Sequence, residues 1–378
     1  MPRREQANRR ANRGPGRRGI RLRAWMTVNT LLLSAMVLGV YHEVLLTQRA
    51  QPAAASADTA QGAIDAKVAK VLATKTIPVK AAFLDSRSRY FGVMADNVPW
   101  NAGAVQRMAA VAGVVPNMSE TFTTWRQDYP AATVADSYAR GELPVLTWEP
   151  WAAGGTSKAQ RNQPAYALAQ ITEGVYDPYI TGFAQAVAAA QWPVVIRFAH
   201  EMNGDWYPWA EGFNGNAAGS YVAAWRHVHD LFTRAGANNV IWMWSPNILR
   251  GAQPKLSLAE LYPGDGYVDW VGLSAYDDSE ATAAAVLGPT MAKLRAFTAK
   301  PVLLAETGAQ PGPQKAGWTT SLFAWMAGQP DVIGLVWSEY RIGKGGSTAD
   351  WRFDADPATL DAFRTGIRTL LLQQVAAG

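Results

Sequence analysis

The sequence predicts an α/β protein, a (β/α)₈ (TIM) barrel over residues 83–378, preceded by a separate N-terminal segment. Eight short runs of apolar, β-branched or aromatic residues recur after Arg89, and Ala-rich stretches of helical character separate them. Each run is followed by a cluster of polar and aromatic residues. In a closed barrel of parallel strands these clusters meet at the carboxyl ends of the strands.

The chain is long enough for this fold, with 378 residues of which 49% are hydrophobic. The predicted strands are, in chain order, Tyr90–Ala95, Val111–Asn117, Pro144–Trp148, Pro193–Phe198, Val240–Trp244, Trp270–Ser274, Pro301–Ala305 and Val332–Trp337. A doubly wound sheet would also alternate strands with helices. No Gly-rich phosphate loop follows any of the runs, so that fold is disfavoured.

The N-terminal residues 1–23 form a basic tail with nine arginines against one acid, Glu5. The tail carries +8, and the whole chain carries +5, which leaves −3 for the remainder. Basic residues in the body are scattered, so we expect no binding to nucleic acid.

Residues 24–46 are predicted to cross the cytoplasmic membrane once as a signal-anchor. Ala24–Tyr41 contains no charged residue, and Val44, Leu45 and Leu46 extend the apolar stretch. The positive-inside rule then places the tail in the cytoplasm and the barrel outside the cell. A cleaved signal peptide is the alternative, because Ala55-Ser56-Ala57 resembles a cleavage site. The Ala-, Gln- and Ser-rich residues 47–82 are predicted to be a linker or stalk.

The composition bears on metals and cofactors. The chain has no Cys and only four His, none in a metal-binding spacing, so we expect neither a metal site nor a cofactor. His227 and His229 point to different helix faces. The pair Asp277-Asp278 lacks the ligand spacing of an EF-hand. We expect a monomer.

Two glutamates, Glu201 and Glu306, directly follow the predicted strands 4 and 7. Cleavage of a glycosidic bond needs one carboxylic acid to protonate the leaving oxygen and one carboxylate to attack or to activate water. The ends of strands 4 and 7 face each other across a barrel mouth. We therefore expect the two carboxyl groups about 5–5.5 Å apart, the separation typical of retaining enzymes. Alone, either glutamate would be explained as well by a surface carboxylate or a helix cap.

The segment RFAHEMNGDWYPW, residues 197–209, resembles the acid/base segment of glycoside hydrolase family 26, whose best-known members are endo-β-mannanases. VDWVGLSAYD (268–277) and PVLLAETG (301–308) are similar to its strand 6 and nucleophile segments, so the resemblance covers about residues 85–375. It implies that Glu201 is the general acid/base and Glu306 the nucleophile.

The resemblance also implies roles for side chains around this pair. His200 would bond near the nucleophile, Tyr276 would bond the nucleophile itself, Trp337 would form the floor under the cleaved sugar, and Trp206 would line the adjacent subsite. For His200 and both Trp residues, ordinary packing is the alternative.

Further substrate contacts are predicted around the mouth. Arg197 is expected to pair with a carboxylate there, and whether it also touches sugar stays open. Asn203 is expected either to fix the loop after strand 4 or to serve as a turn residue. Glu149, and likewise Glu339, is either a ligand of sugar hydroxyls or part of a structural ion pair. Trp148 and Trp209 are predicted to contact sugar, because the 16 Trp residues concentrate near strand ends with carboxylates.

The function expected from the sequence is a retaining glycoside hydrolase that cleaves a β-linked polysaccharide by double displacement. β-Mannan is the first expectation, and β-glucan or an exopolysaccharide made by the same cell stays open. The rival from another class is a catalytically idle polysaccharide-binding or assembly protein on the same barrel. A metal-dependent barrel hydrolase is disfavoured by the His and Cys counts.

Overall fold

The computed structural model describes residues 66–67, 69–71, 76–85, 88–152, 161–278, 282–345 and 347–376. The basic tail and the predicted membrane segment, residues 1–23 and 24–46, lie outside these ranges. Within them, no helix is long and apolar enough to span a membrane. The compact unit that contains the barrel runs from Lys67 to Gly378.

Eight parallel strands form the barrel wall. They are β1 Tyr90–Met94, β2 Met118–Thr124, β3 Leu143–Glu149, β4 Val194–Phe198, β5 Val240–Trp244, β6 Trp270–Asp277, β7 Val302–Ala309 and β8 Val332–Ser338. The described helices are α1 Lys80–Phe83, α2 Ala102–Ala112, α3 Ala131–Arg140, α4 Leu168–Thr172, α5 Asp177–Ala190, α6 Ser220–Arg234, α7 Ala283–Leu294, α8 Lys315–Ala327 and α9 Pro357–Ala376.

From β2 to β8 each strand pairs with the next one along the chain, and β1 pairs with β8, for example Gly92 with Val336. Asn117 joins β1 to β2. Its backbone N–H donates to the Phe91 carbonyl at 3.0 Å, and its side-chain oxygen accepts from the Phe91 N–H at 2.8 Å. One side-chain amide therefore replaces ladder hydrogen bonds where the sheet closes.

Strand periodicity divides the apolar residues between two cores. In β4, Val194, Ile196 and Phe198 belong to the core between strands and helices, whereas Val195 belongs to the core inside the barrel. Because side chains alternate along a strand, Arg197 also points into the barrel. The inner core is apolar at its base, so the polar inward residues collect towards the carboxyl ends of the strands.

The predicted strand Val111–Asn117 is wrong. Val111 and Ala112 end helix α2, and Gly113 caps it in the left-handed conformation at φ 75°. The actual strand, Met118–Thr124, carries polar residues towards the helices, as where Ser119 bonds Ser137 of α3 at 2.8 Å. These polar residues removed the apolar signal that the prediction relied on, although threonine favours strands.

The predicted alternation of strands and helices also fails in one place. Between β5 and β6 the chain forms a single 3₁₀ turn, Leu249–Gly251, and no α-helix. The other seven strands and their order agree with the prediction. The short connection keeps the residues after β5 close to the barrel mouth.

Part of the segment predicted as linker packs on the barrel. Val71 is buried in the outer core, Lys67 pairs with Asp136 of α3 at 2.6 Å, and Lys80 pairs with Asp269 at 2.7 Å.

Candidate active site

A cavity of about 1070 Å³ opens at the carboxyl ends of the strands. Its lining includes both predicted catalytic residues, Glu201 and Glu306, together with Glu149, Trp206 and Tyr276. The fold therefore brings side chains from β3, β4, β6 and β7 to one concave surface, as expected for a barrel. This volume slightly exceeds the range of about 300–1,000 Å³ typical of small-molecule pockets.

Arg197 lies beneath the cavity and is fully buried. One terminal nitrogen, Nη1, donates to Glu306 Oε1 at 2.5 Å and to Glu120 Oε1 at 3.2 Å. The other nitrogens donate to two serine hydroxyls, Nε to Ser245 just after β5 at 2.9 Å and Nη2 to Ser274 of β6 at 2.7 Å. The guanidinium fork thus fixes the position of Glu306 relative to four strands of the barrel.

Glu306 receives a second donor from Tyr276, whose hydroxyl lies 3.0 Å from Oε2. Each carboxylate oxygen therefore has its own donor, a guanidinium on one side and a phenol on the other. These contacts stabilise negative charge on the group and hold its plane in one orientation.

Glu201 is held in an uncommon backbone conformation, with φ 52° in the left-handed region. Its N–H donates to the Ser245 carbonyl at 2.7 Å. Its carboxyl oxygens accept from the indole N–H of Trp206 at 2.6 Å and from the amide of Asn247 at 2.9 Å. Gly204 makes room for the indole, because a Cβ there would lie 2.4 Å from the Trp206 ring.

Asn203 ties the loop after β4 to the loop after β5. Its side-chain N–H donates to the Asn247 carbonyl and its oxygen accepts from the Asn247 N–H, both at 2.8 Å. These paired bonds place Asn247 where it can donate to Glu201. Asn203 therefore connects the two loops through its side chain.

The electrostatics of the site follow from several carboxyl groups around one buried cation. Burial, reinforced by the negative charge of Glu306, raises the pKa of Glu201. Burial likewise raises the pKa of Glu120 to about 7 and that of Glu149 to about 8. Arg197 opposes all three shifts but does not cancel them. The raised pKa values favour the protonated form of these three carboxyl groups near neutral pH.

Comparison with known proteins agrees with this geometry. The sequence profile of glycosyl hydrolase family 26 matches residues 167–329, which contain both Glu201 and Glu306. Endoglucanase H of Acetivibrio thermocellus is 30% identical over 277 residues, 70% of this chain. Residues 167–329 of this chain belong to glycosyl hydrolase family 26.

Two further similarities concern mannan-degrading proteins. Mannan endo-1,4-beta-mannosidase A and B of Caldalkalibacillus mannanilyticus is 41% identical over 88 residues, 22% of this chain and 16% of that protein. The solved structure of a family 26 beta-mannanase from Bacteroides ovatus superposes with a TM-score of 0.57 at 20% identity, covering 76% of this chain and 91% of that one. The latter likeness shows the shared fold. The chain spans only 29% of Endoglucanase H.

His200 is fully buried in the barrel and lies beside Glu306. Its Nε2 lies 3.0 Å from the Tyr207 hydroxyl and 4.0 Å from Glu306 Oε1. Burial, with the charge of Arg197, holds the pKa of His200 well below its ordinary value. The lowered pKa favours the uncharged imidazole.

Three tryptophans predicted to contact sugar lie in the core instead. Trp337, Trp148 and Trp209 are all fully buried, and their rings pack against other apolar side chains. Trp337 points away from the cavity because Ser338, the next residue of β8, takes the inward position. Its indole N–H donates to the Trp351 carbonyl at 3.0 Å. The predicted floor under the sugar is therefore not formed by Trp337.

The sequence did not assign a role to several residues that line the cavity. Asn247 lies three residues after the end of β5, and this position near a strand end was the signal for it. Phe122 lies in the strand that was placed wrongly, and it contacts His200 edge-on with ring centroids 5.8 Å apart. Trp351 lies in the long loop after β8, and its ring packs on that of Tyr276 with centroids 4.7 Å apart. No local sequence pattern indicates that this loop returns to the cavity.

Two remaining acidic positions have structural partners. Glu339 accepts from the backbone N–H groups of Phe353 at 2.8 Å and Asp354 at 3.3 Å, and so fixes the loop before α9. Asp278 pairs with Arg250 at 2.9 Å. Among the described residues, no group of three or more His, Cys, Asp or Glu could hold a metal ion.

Proposed function

We propose that this chain is a retaining glycoside hydrolase that cleaves a β-linked polysaccharide, with Glu201 as general acid/base and Glu306 as nucleophile. The observation that carries the proposal is the unequal pair of carboxyl groups on one cavity. Glu201 has a raised pKa, whereas Glu306 accepts from a guanidinium and a phenol. One acid kept protonated beside one stabilised anion is the arrangement that glycosidic cleavage requires.

In the first step, a Glu306 oxygen attacks the anomeric carbon and the bond to the leaving oxygen breaks. Glu201 transfers its proton to that oxygen, which departs as a hydroxyl group. In the second step, water attacks the anomeric carbon, Glu201 accepts the proton of the water, and the bond to Glu306 breaks. Two inversions give net retention of configuration.

β-Mannan is the first substrate we propose, since relatives matched by this chain are named mannan endo-1,4-beta-mannosidases. β-Glucan is the second, because the relative matched over 277 residues is named an endoglucanase. The cavity suits a chain segment better than a single sugar, given its volume of about 1070 Å³.

We also propose that residues 24–46 anchor the protein in the cytoplasmic membrane with the barrel outside. This placement makes an exopolysaccharide secreted by the same cell the third candidate substrate. Immunoblots of membrane and soluble fractions, with and without residues 1–46, check the anchor. Recovery of the full chain in the soluble fraction alone would contradict it.

A glycan screen tests the proposed function. The full chain is incubated with β-mannan, mixed-linkage β-glucan and bacterial exopolysaccharides, and new reducing ends are quantified. We expect turnover of at least one polymer, with the β anomer released first in NMR spectra. The alternative of an idle binding protein predicts that the polymer is bound without turnover and that Glu201→Ala and Glu306→Ala leave the affinity unchanged.

The pH dependence of the reaction should report the protonation of Glu201. Because the acid form is required, kcat/KM is expected to fall as the pH rises through the raised pKa of Glu201. The Asn247 amide favours the ionised form by donating to it. In Asn247→Ala, therefore, this alkaline limb should move upward by about one pH unit, since a hydrogen bond to a charged group contributes about 1.5–3 kcal/mol.

Asn238→Ala is the matched control, because Asn238 is exposed and precedes the same strand at the end opposite the cavity. Its pH profile should equal that of the wild type. A limb that stays in place or moves downward in Asn247→Ala would show that Asn247 does not stabilise ionised Glu201.

A further inference from the structure

Glu149 is a third carboxyl group on the cavity. It is the last residue of β3, its side chain lines the cavity with Glu201 and Glu306, and it is only 6% exposed. Its carbonyl accepts from the backbone N–H groups of Trp125 at 3.0 Å and Trp151 at 2.8 Å. The start of its side chain is therefore fixed, and the carboxyl group reaches solvent only through the space that a substrate would fill.

The charges that face Glu149 come from several elements. Glu201 and Tyr207 follow β4, and Glu306 lies in β7. Arg197 of β4 supplies the cation, and it directs hydrogen bonds to Glu306, Glu120, Ser245 and Ser274. Among the described residues, Arg197 makes no hydrogen bond to Glu149. A carboxylate at position 149 would thus be desolvated next to Glu306 without a cation of its own.

We propose that Glu149 binds the substrate as an uncharged carboxylic acid, donating its O–H to an oxygen of the sugar beside the scissile bond. The proposal rests on the proposed function. Only the acid form can donate a hydrogen bond, since an ionised carboxylate is an acceptor only. The raised pKa of about 8 agrees with this form at neutral pH, and burial is its largest cause.

An uncharged Glu149 also leaves Glu201 and Glu306 in their proposed roles as acid and nucleophile. A second fixed anion beside Glu306 would raise the pKa of Glu201 further and would oppose the ionisation of Glu306 itself. With Glu149 protonated, the nucleophile keeps Arg197 as its partner. Glu149 then distinguishes sugars by whether they present an acceptor oxygen at this point of the cavity.

Two substitutions test whether Glu149 acts as a protonated acid or as an ionised carboxylate. Glu149→Gln keeps the shape and an N–H donor, whereas Glu149→Ala removes both. On the polysaccharide that the full chain hydrolyses best, we expect kcat/KM at pH 6 to fall about fivefold in Glu149→Gln and about 10²-fold in Glu149→Ala. Glu149→Gln should also lose an ionisation near pH 8 from the pH profile. A loss in Glu149→Gln as large as in Glu149→Ala would overturn the proposal.

Glu173→Gln serves as the matched control, because Glu173 is an exposed glutamate just after α4, and its profile should equal that of the wild type. Circular dichroism and melting temperature establish that each variant is folded.

A readout without turnover separates this proposal from the proposed function. In the full chain labelled with ¹³C at glutamate carboxyl carbons, the resonance that disappears in Glu149→Gln should titrate near pH 8. If the Glu149 carboxyl group titrates in the ordinary range of about 4–5, the proposal of an uncharged Glu149 is wrong even when the enzyme is active. If the wild type hydrolyses no polymer, the proposed function fails, and the same titration still decides the charge of Glu149.

Discussion

Replacing Glu306 with alanine is expected to lower kcat on the order of 10⁵-fold while leaving the protein folded. Without this carboxylate no glycosyl-enzyme bond can form, and water has no base on that side of the sugar. Arg197 still pairs with Glu120 at 3.2 Å, so its charge stays compensated in the variant. Kinetics on the polymer found by screening check the fall in kcat, and circular dichroism on the same samples checks that the variant is folded.

Azide distinguishes a nucleophile from a residue that only positions the substrate. With an activated aryl β-glycoside, azide should restore turnover of Glu306→Ala and yield the glycosyl azide of inverted, α configuration. In Glu201→Ala, azide should instead yield the β-glycosyl azide, because it attacks the intermediate formed on Glu306. A β product from Glu306→Ala, or activity close to that of the wild type, would exclude Glu306 as the nucleophile.

Replacing Arg197 with alanine is expected to reduce the free energy of unfolding by about 3–5 kcal/mol, the usual loss when one partner of a buried ion pair is removed. Arg197 is fully buried and makes four side-chain hydrogen bonds. The substitution leaves Glu306 and Glu120 without their cation and also creates a void. Urea denaturation measures the loss.

The loss should grow with pH. Burial already raises the pKa of Glu120 to about 7 with Arg197 present, and removal of the cation raises it further. A carboxyl group whose pKa is higher in the folded state binds its proton more tightly there than in the unfolded chain. The variant is therefore expected to lose stability, relative to wild type, as the pH rises from about 5 to about 8.

Arg295→Ala is the comparison for this experiment. Arg295 pairs with Asp331 at 2.7 Å, but its side chain is 41% exposed, so its removal should cost no more than about 1 kcal/mol at any pH. Equal losses in the two variants, or a loss in Arg197→Ala that does not change with pH, would contradict the role of Arg197 as the buried counter-ion.

Much of the barrel could be predicted from local pattern. Strands with apolar runs, such as Val240–Trp244 and the Val194–Ile196 part of β4, were found because they are buried on both faces. Strand β2 was missed because Ser119, Thr121 and Thr123 make it polar on its helix-facing side. The helix expected between β5 and β6 was absent because the sequence there forms only a 3₁₀ turn.

The aromatic residues show where local pattern misleads. A tryptophan beside a catalytic segment can point either into the barrel mouth or towards the helices, and the two directions alternate from one residue to the next. Thus Glu149 lines the cavity while Trp148 is fully buried in the outer core. The high Trp content predicted an aromatic site. Only the direction in which each side chain points from its strand decides which tryptophans line the cavity.

By itself, the sequence predicted the barrel, the similarity to family 26 and Glu201 and Glu306 as the candidate pair, because apolar runs and the motif around Glu201 are local features of the chain. The tertiary structure alone decided that the pKa values of Glu201, Glu120 and Glu149 are raised. That depends on burial and on Arg197, whose partners Glu120 and Glu306 lie 77 and 109 residues away along the chain. Such contacts arise only when the sheet closes, since electrostatic energies depend on distance in space and not on position in the sequence.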